Sequence, residues 1–350
     1  MKKKKLPNEF GVLVASHDMK AFAEFFEKYE IAATNAGKTT ANAFSYRDLN
    51  AEQARFLIDN GLDPNTDCGY GYTAVAHQAS NKEVLECLVE NGADVDLALS
   101  TISGNALARA CQNLNVDAVF NLLNAGASVD ILCGFEKNTP LDCALRCCDN
   151  AFIPNAYEIC SVLLQAGVKP TEKTGALVEN IGKRFEFFRD SFNPDYLAET
   201  DEALSALYEL FGVTPVARRV MNDTEEIKVT SGKWQTQYEE LRSKLVPGSG
   251  KARTLQGEMI RIVGKVTYEI LDNGAVNWDD DYSRMMTAFV SYLDRNEKLE
   301  PSLVSEAVAL ASHVNADSGK ADLYRLTELT VNWVIANSKP IMLGDVDYYR

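Results

Sequence analysis

Residues 139–144 read Thr-Pro-Leu-Asp-Cys-Ala, and this stretch carries the signals of a helix start. The Thr139 hydroxyl is placed to cap the first turn. Pro140 suits the first helical position because the amide hydrogen that it lacks would have no partner there. The small Ala144 side chain lets a neighbouring helix approach closely. The stretch therefore predicts a short helix that begins at Pro140 and packs against other helices.

A repeated pattern surrounds this stretch. Four segments share a pair of aliphatic residues, two spacer residues, a glycine and a polar turn. A glycine at such a point predicts a helix that ends in a left-handed residue. A second landmark, a Thr or Asn two positions before an apolar residue, recurs between the glycines. The glycines are Gly61, Gly92, Gly126 and Gly167, and the first two intervals between them are 31 and 34 residues.

Together these features resemble the ankyrin repeat, whose period is about 33 residues. The best match is residues 139–144, which are similar to the family signature Thr-Pro-Leu-His-x-Ala, with Asp142 in place of the histidine. The resemblance covers residues 40–215 and implies an all-α fold: an ankyrin-repeat α-solenoid with short hairpin loops, followed by a helical C-terminal domain. It also implies a protein that binds other proteins.

The chain is predicted to divide into four parts. An amphipathic helix over residues 18–29 would cap an array that otherwise exposes apolar surface, and Lys2 to Lys5 before it are expected to be a frayed, solvated terminus. Extra residues at 149–155 are expected to form a loop within the fourth repeat. The predicted parts are a capping helix (1–38), about five repeats with a divergent last one (39–215), a linker (216–233) and a helical C-terminal domain (234–350).

The resemblance also places a binding surface. In the ankyrin family, the loops that join one repeat to the next line the partner surface together with the first helices. The matching stretches here are residues 67–72, 97–103 and 131–137, which are unusually apolar for turns. Their side chains either anchor a partner or pack against the adjacent loop. The predicted partner-binding residues are Tyr70, Tyr72, Leu99, Ile102, Leu132 and Phe135 in the loops, and Arg109 and Arg146 on first helices.

The C-terminal region is predicted to be helical over residues 234–246, 253–272, 277–294, 301–314 and 320–336. Part of it resembles uncharacterised bacterial proteins without matching a family that we can name. Gly264 in mid-helix indicates a close approach, for which Trp278 is the predicted neighbour. A polar cluster is predicted, either as a salt-bridge and capping arrangement or as an active site, although no nucleophile with a base is evident. Its members are Gln256, Glu258, Arg261, Asn277, Trp278 and Asp280.

Composition narrows the functional classes. The formal net charge of −15 disfavours direct nucleic-acid binding, because phosphate contacts need clustered Lys and Arg. No segment is apolar enough to predict an export signal or a membrane span, so a cytoplasmic protein is expected. All eight cysteines fall between residues 68 and 160 and are predicted to be buried, reduced thiols. No spacing predicts a metal site or a cofactor.

These observations predict a cytoplasmic protein-binding protein with a basic-surfaced partner, since complementary charge speeds association. A narrower hypothesis is an immunity or inhibitor protein that sequesters a toxin, an effector or a defence enzyme. The alternative is an enzyme whose repeats deliver a catalytic helical C-terminal domain to its substrate. The sequence makes no prediction about oligomeric state.

Overall fold

The computed structural model describes residues 1–36, 41–100, 102, 104–230, 232–295 and 298–350. The predicted boundary at residue 38, and parts of the stretches 97–103 and 216–233, lie outside these described residues. Within them the protein is mostly helical, with sixteen α-helices and one two-stranded sheet. The chain divides into two compact units: unit 1 holds residues 1–184 and 194–216, and unit 2 holds residues 185–193 and 217–350.

Unit 1 alternates short and longer helices. The short helices α4, α6 and α8 pack on one another in succession, while α3 packs on α5 and α7 on α9. The helices are α1 (Phe10–Ser16), α2 (Met19–Lys28), α3 (Ala51–Asp59), α4 (Ala74–Gln78), α5 (Lys82–Glu90), α6 (Ala106–Gln112), α7 (Val116–Asn124), α8 (Pro140–Cys147), α9 (Ile153–Gln165), α10 (Thr174–Phe188), which runs on into unit 2, and α11 (Pro194–Phe211).

The predicted start and stop signals operate locally. The Thr139 hydroxyl accepts from the Asp142 amide at 3.1 Å, and Pro140 occupies the first turn of α8. Asn105 caps α6 in the same way, whereas the Thr73 side chain makes no capping bond to α4. All four repeat glycines are left-handed, with φ between 87° and 98°. The predicted cap at Thr139 and the predicted left-handed glycines are confirmed.

The N-terminal lysines are ordered, which contradicts the predicted frayed terminus. Strand β1 (Lys3–Lys5) pairs in parallel with strand β2 (Tyr29–Thr34). The Lys2 ammonium donates to the Phe26 carbonyl oxygen at 2.6 Å, and buried Leu6 donates its amide to Thr34 at 2.8 Å. The lysine side chains stay exposed, so the charges remain solvated while the backbone is held.

One further prediction for unit 1 needs correction. The predicted loop at residues 149–155 is mostly helical: a 3₁₀ turn (Asn150–Phe152) leads directly into α9, and Pro154 lies in the first turn of α9, where a proline costs no hydrogen bond. Before α3, the chain also forms the short 3₁₀ turn Ala43–Ser45.

Unit 2 is a helical bundle. The five predicted C-terminal helices are confirmed to within a few residues at each end. Its core includes Phe289, Trp333 and Tyr348, all fully buried. Residues 217–233, which were expected to be a linker, belong to unit 2, where buried Ile227 donates its amide to Ser338 at 2.8 Å. The helices are α12 (Trp234–Leu245), α13 (Leu255–Leu271), α14 (Asp280–Leu293), α15 (Pro301–His313) and α16 (Lys320–Ala336).

One local prediction for unit 2 is wrong. The close approach at Gly264 is made by Tyr238 instead of Trp278. A Cβ placed on Gly264 would lie only 2.1 Å from the Tyr238 hydroxyl oxygen. This outcome depends on how helices meet across the bundle, which the local pattern does not contain. The start of α14 is set locally, because Asp279 caps it by accepting from the amides of Asp281 and Tyr282.

Candidate functional sites

Three loops of unit 1 project apolar side chains. We call them finger 1 (residues 67–72), finger 2 (residues 97–103) and finger 3 (residues 131–137). Each follows the longer helix of one pair and precedes the short helix of the next. Residues 101 and 103 of finger 2 lie outside the described residues. The exposed side chains are Tyr70 at 67%, Leu99 at 40%, Ile102 at 55%, Leu132 at 46% and Phe135 at 89%.

The turn of finger 1 forces its tyrosine outward. The Asp67 carboxylate accepts from the amides of Gly69 at 2.8 Å and Gly71 at 3.1 Å. Gly69, Tyr70 and Gly71 all have positive φ, which only the two glycines adopt without strain. Gly69 also lies against Ala41, since a Cβ there would be 2.9 Å from the Ala41 backbone. The loop is therefore braced from within while Tyr70 remains exposed.

Fingers 2 and 3 pack closely at their bases. A Cβ on Gly104, just after finger 2, would lie 2.5 Å from the Cβ of Cys133. Finger 3 is closed by the paired backbones of Cys133 and Asn138, with amide-to-carbonyl distances of 3.0 and 2.8 Å. Leu132 and Phe135 stand outside this small ladder. The base of finger 3 is therefore held by backbone pairing while its apolar tips remain exposed.

Tyr72 and Arg109 are predicted partner-binding residues that the structure places in internal contacts. The Arg109 guanidinium lies 3.8 Å from the centre of the Tyr72 ring, and both residues are half-buried. Burial lowers the pKa of the Arg109 guanidinium. Cation–π contacts of this kind contribute about 1 kcal/mol. This pair braces the surface between finger 1 and α6.

His77 also serves finger 1. Its Nε2 donates to the Gly69 carbonyl oxygen at 3.0 Å, and its ring stands edge-on to Tyr72. Burial lowers the pKa of the imidazole, despite the opposing effect of the bond to Gly69. His77 therefore holds finger 1 in place through a ring that favours its neutral form.

Arg146 makes an ion pair instead of standing free. Its guanidinium lies 2.5 Å from the Glu136 carboxylate of finger 3, and both side chains are exposed to about half of their area. Exposed pairs of this kind typically contribute less than about 1 kcal/mol. The pair links finger 3 to α8.

The predicted C-terminal polar cluster separates into two groups on α13. One surrounds Glu258 and the other surrounds Glu269, which the sequence analysis did not single out. Glu258 and Glu269 are eleven positions apart in α13, which corresponds to about 16 Å along the helix axis. The six predicted residues therefore do not form one site.

Glu258 is fully buried, and both of its carboxylate oxygens are saturated. One oxygen accepts from the Ala252 amide at 2.9 Å and from Arg261 at 2.8 Å. The other accepts from Arg261 at 2.6 Å and from the Tyr348 hydroxyl at 2.7 Å. Arg261 in turn donates to the Arg350 carbonyl oxygen at 2.8 Å. A carboxylate with four donors has no free lone pair with which to accept a substrate proton.

Gln256 fixes the chain that follows α16. Its amide nitrogen donates to the carbonyl oxygens of Asn337 at 2.8 Å and Lys339 at 2.6 Å. Its amide oxygen accepts from Ile341 at 3.0 Å. Gln256 is buried and satisfies three backbone groups, so its role is to hold this segment against α13.

The remaining predicted residues lie near Glu269 and the start of α14. The Asn277 amide donates to Glu269 at 2.6 Å, and these hydrogen bonds lower the pKa of the Glu269 carboxyl against the effect of burial. The Trp278 ring stacks on Tyr282, with centres 5.1 Å apart. Asp280 is the exposed first residue of α14. These residues thus lie at the end of α13, in the turn that follows it and at the start of α14.

Two residues that close these groups, Tyr348 and Arg350, were not predicted from the sequence. Asp279 pairs with the Arg350 guanidinium, and Asp281 accepts the backbone amides of Tyr349 and Arg350 at 3.0 and 2.7 Å. These contacts join residues about seventy positions apart, so no local motif announces them. Tyrosine and arginine near a chain end carry no signal of their own.

Unit 2 also contains an open cleft of about 630 Å³. Arg242, Arg261 and Lys265 line it beside the aromatic rings of Phe187 and Tyr238. Partial burial, with the nearby guanidiniums of Arg261 and Arg350, lowers the pKa of the Lys265 ammonium. The Phe187 ring is itself covered by Arg219 and Arg242, each 4.2 Å from its centre. Glu239 lines the cleft as well and lies 3.7 Å from Arg242, while Arg261 is paired with Glu258, so most of the cations of the cleft already face a carboxylate.

Comparison with known proteins does not assign the chain to a family. No protein-family model matches the sequence, and the curated proteins give no significant match. Among the described residues, no three His, Cys, Asp or Glu side chains are arranged to hold a metal ion. None of the described helices has both the length and the apolar character needed to cross a bilayer.

Proposed function

We propose that unit 1 is an ankyrin-like repeat array that binds another protein through fingers 1, 2 and 3. The fold supports this proposal through its repeated helix pairs, each ended by a left-handed glycine. The best match to the family signature, residues 139–144, forms a capped helix with proline in its first turn. Gly212, after α11, is left-handed as well, which extends the pattern to a divergent last repeat.

The single observation that carries the proposal is the row of exposed apolar side chains on three successive loops. Folded proteins seldom expose neighbouring large apolar side chains unless a partner covers them. Aromatic residues are the usual anchors of protein interfaces, and finger 1 and finger 3 each present one, Tyr70 and Phe135. The bases of the fingers are already braced, so binding would cost little ordering entropy.

The partner that this surface suits is a protein with an apolar recess and a basic surround. Acidic side chains outnumber basic ones in the repeat region, and the whole chain carries −15. Complementary charge would speed association and disfavour acidic competitors. We propose specifically that the chain is an inhibitor or immunity protein, which sequesters a basic toxin, effector or defence enzyme in the cytoplasm.

Site-specific photo-crosslinking tests the proposal. A benzoylphenylalanine at position 135 should crosslink to one dominant protein in a lysate of the source cells. The matched control is the same residue at Tyr196, which is an exposed aromatic residue of unit 1 outside the fingers. Equal crosslinking at both positions, or none at position 135, would contradict binding through finger 3.

The enzyme alternative is less well supported by the geometry. It would need a free functional group in unit 2, and the Glu258 carboxylate already accepts four hydrogen bonds. The cleft beside it is lined by Arg242, Lys265 and aromatic rings, by Glu239, which is paired with Arg242, and by no described cysteine or histidine. We therefore propose binding, and not catalysis, as the activity of the chain.

A further inference from the structure

Two of the eight cysteines lie in direct contact. Cys133 is at the base of finger 3 and Cys143 is in α8, and their Sγ atoms are 2.8 Å apart. Both residues are buried, at 1% and 3% exposure. The Gln112 amide group lies 3.6 Å from the first sulfur and 3.9 Å from the second. A disulfide has an S–S distance of about 2.05 Å, so a sub-ångström movement separates this contact from a bond.

The electrostatics of the pair differ from those of the other buried thiols. A hydrogen bond from the Cys143 thiol lowers the pKa of Cys133 to about 7, with a further contribution from Gln112. The same contact raises the pKa of Cys143. Burial raises the pKa of Cys68 and of Cys148 to about 12. Cys133 is therefore the thiol most easily converted to the reactive thiolate near neutral pH.

We propose that Cys133 and Cys143 form a thiol–disulfide site that hydrogen peroxide oxidises. The Cys133 thiolate attacks one peroxide oxygen, the O–O bond breaks, and sulfenic acid and hydroxide form. The Cys143 sulfur then attacks the sulfenic sulfur, loses its proton and displaces the hydroxyl group as water. Counting the proton that Cys133 first releases, two thiols and one peroxide give one disulfide and two waters.

The bond would tie finger 3 covalently to α8. Finger 3 carries Leu132 and Phe135, and its present ties to α8 include the exposed pair of Glu136 and Arg146. Oxidation would restrict the movement of these side chains without adding a new contact. The proposal goes beyond protein binding, because the disulfide forms whether or not a partner exists.

Peptide mapping of the full chain tests this proposal without any variant. After treatment with about one equivalent of peroxide and alkylation of the remaining thiols, we expect two thiols to be lost and one reducible peptide pair joining Cys133 to Cys143. The rate should rise at a lower pH than for an ordinary thiol, whose pKa is about 8.5, because the Cys143 contact lowers the pKa of Cys133. First oxidation at exposed Cys147, or a disulfide that pairs other cysteines, would overturn the proposal.

Single-residue variants test which two thiols form the disulfide. Cys143→Ser should abolish the disulfide and leave a Cys133 sulfenic acid that dimedone traps. Cys147→Ser is the matched control, because it removes the exposed thiol of the same helix and should leave the disulfide yield unchanged. If Cys147→Ser abolished the bond, Cys147 would be the partner and the assignment to Cys143 would be wrong.

Discussion

The two units close their polar side chains over different distances along the chain. In unit 1, side-chain hydrogen bonds either cap a helix, as Thr139 does for the Asp142 amide three residues on, or join one helix pair to the next, as Asn121 does to the Ala79 carbonyl oxygen 42 positions earlier. In unit 2, Glu258 and Asp281 are closed by Tyr348, Tyr349 and Arg350, which lie 68 to 90 residues away. Unit 1 thus ties each helix to its near neighbours along the chain and leaves apolar tips exposed, whereas unit 2 closes buried carboxylates with residues much farther along the chain.

From this contrast, we expect substitutions in the two units to have different effects on stability. A change at a finger tip of unit 1 removes exposed surface and leaves the local framework intact. A change at a buried charge of unit 2 leaves its partner unpaired in a medium of low dielectric constant. All three tryptophans, Trp234, Trp278 and Trp333, lie in unit 2, so tryptophan fluorescence reports the unfolding of that unit alone.

The largest effect is expected from Glu258→Ala. The substitution leaves the Arg261 guanidinium buried without its carboxylate, which should lower the free energy of unfolding of unit 2 by about 3 to 5 kcal/mol. Urea unfolding followed by tryptophan fluorescence measures this. Glu225→Ala, at an exposed position of the same unit, is the control and should change little. A loss below about 1 kcal/mol for Glu258→Ala would mean that unit 2 does not depend on its long-range ties.

An intermediate effect is expected from Gly264→Ala. The new methyl group would overlap the Tyr238 hydroxyl, and overpacking of this kind costs about 1 to 3 kcal/mol. Adding Tyr238→Phe removes the overlapping oxygen and should recover part of the loss in the same fluorescence experiment. Gly319→Ala is the matched control, since nothing lies within 4 Å of a Cβ there. Additive losses in the double variant would show that Tyr238 is not the reason for the glycine.

The smallest effect on stability is expected from Phe135→Ser in unit 1. The side chain is 89% exposed, so its loss should change the free energy of unfolding by less than about 0.5 kcal/mol. Hydrogen exchange of the amides in α6 and α8 measures this in the absence of tryptophan. Leu107→Ser, at a fully buried position of α6, provides the contrast and should accelerate exchange strongly. Faster exchange in Phe135→Ser would identify the residue as a packing element.

Helix positions in both units could be predicted well from the sequence, because caps, prolines, glycines and apolar spacing act within a few residues. The exposed tips of the fingers were predictable for the same reason, since Tyr70 and Phe135 occur in turn sequences. The internal contacts of Tyr72 and Arg109 were not predictable. They depend on the packing of α6 against finger 1, which joins residues 37 positions apart.

By itself, the sequence determined the positions of most helices, the left-handed glycines at Gly61, Gly92, Gly126 and Gly167, the apolar loops and the acidic charge. Only the tertiary structure decided that Glu258 and Glu269 belong to separate groups, that Tyr238 occupies the space beside Gly264, and that Cys133 meets Cys143. The physical reason is the distance along the chain between the residues that interact. Turns and caps are satisfied by neighbours along the chain, whereas buried charges and thiols take their partners from wherever packing brings them.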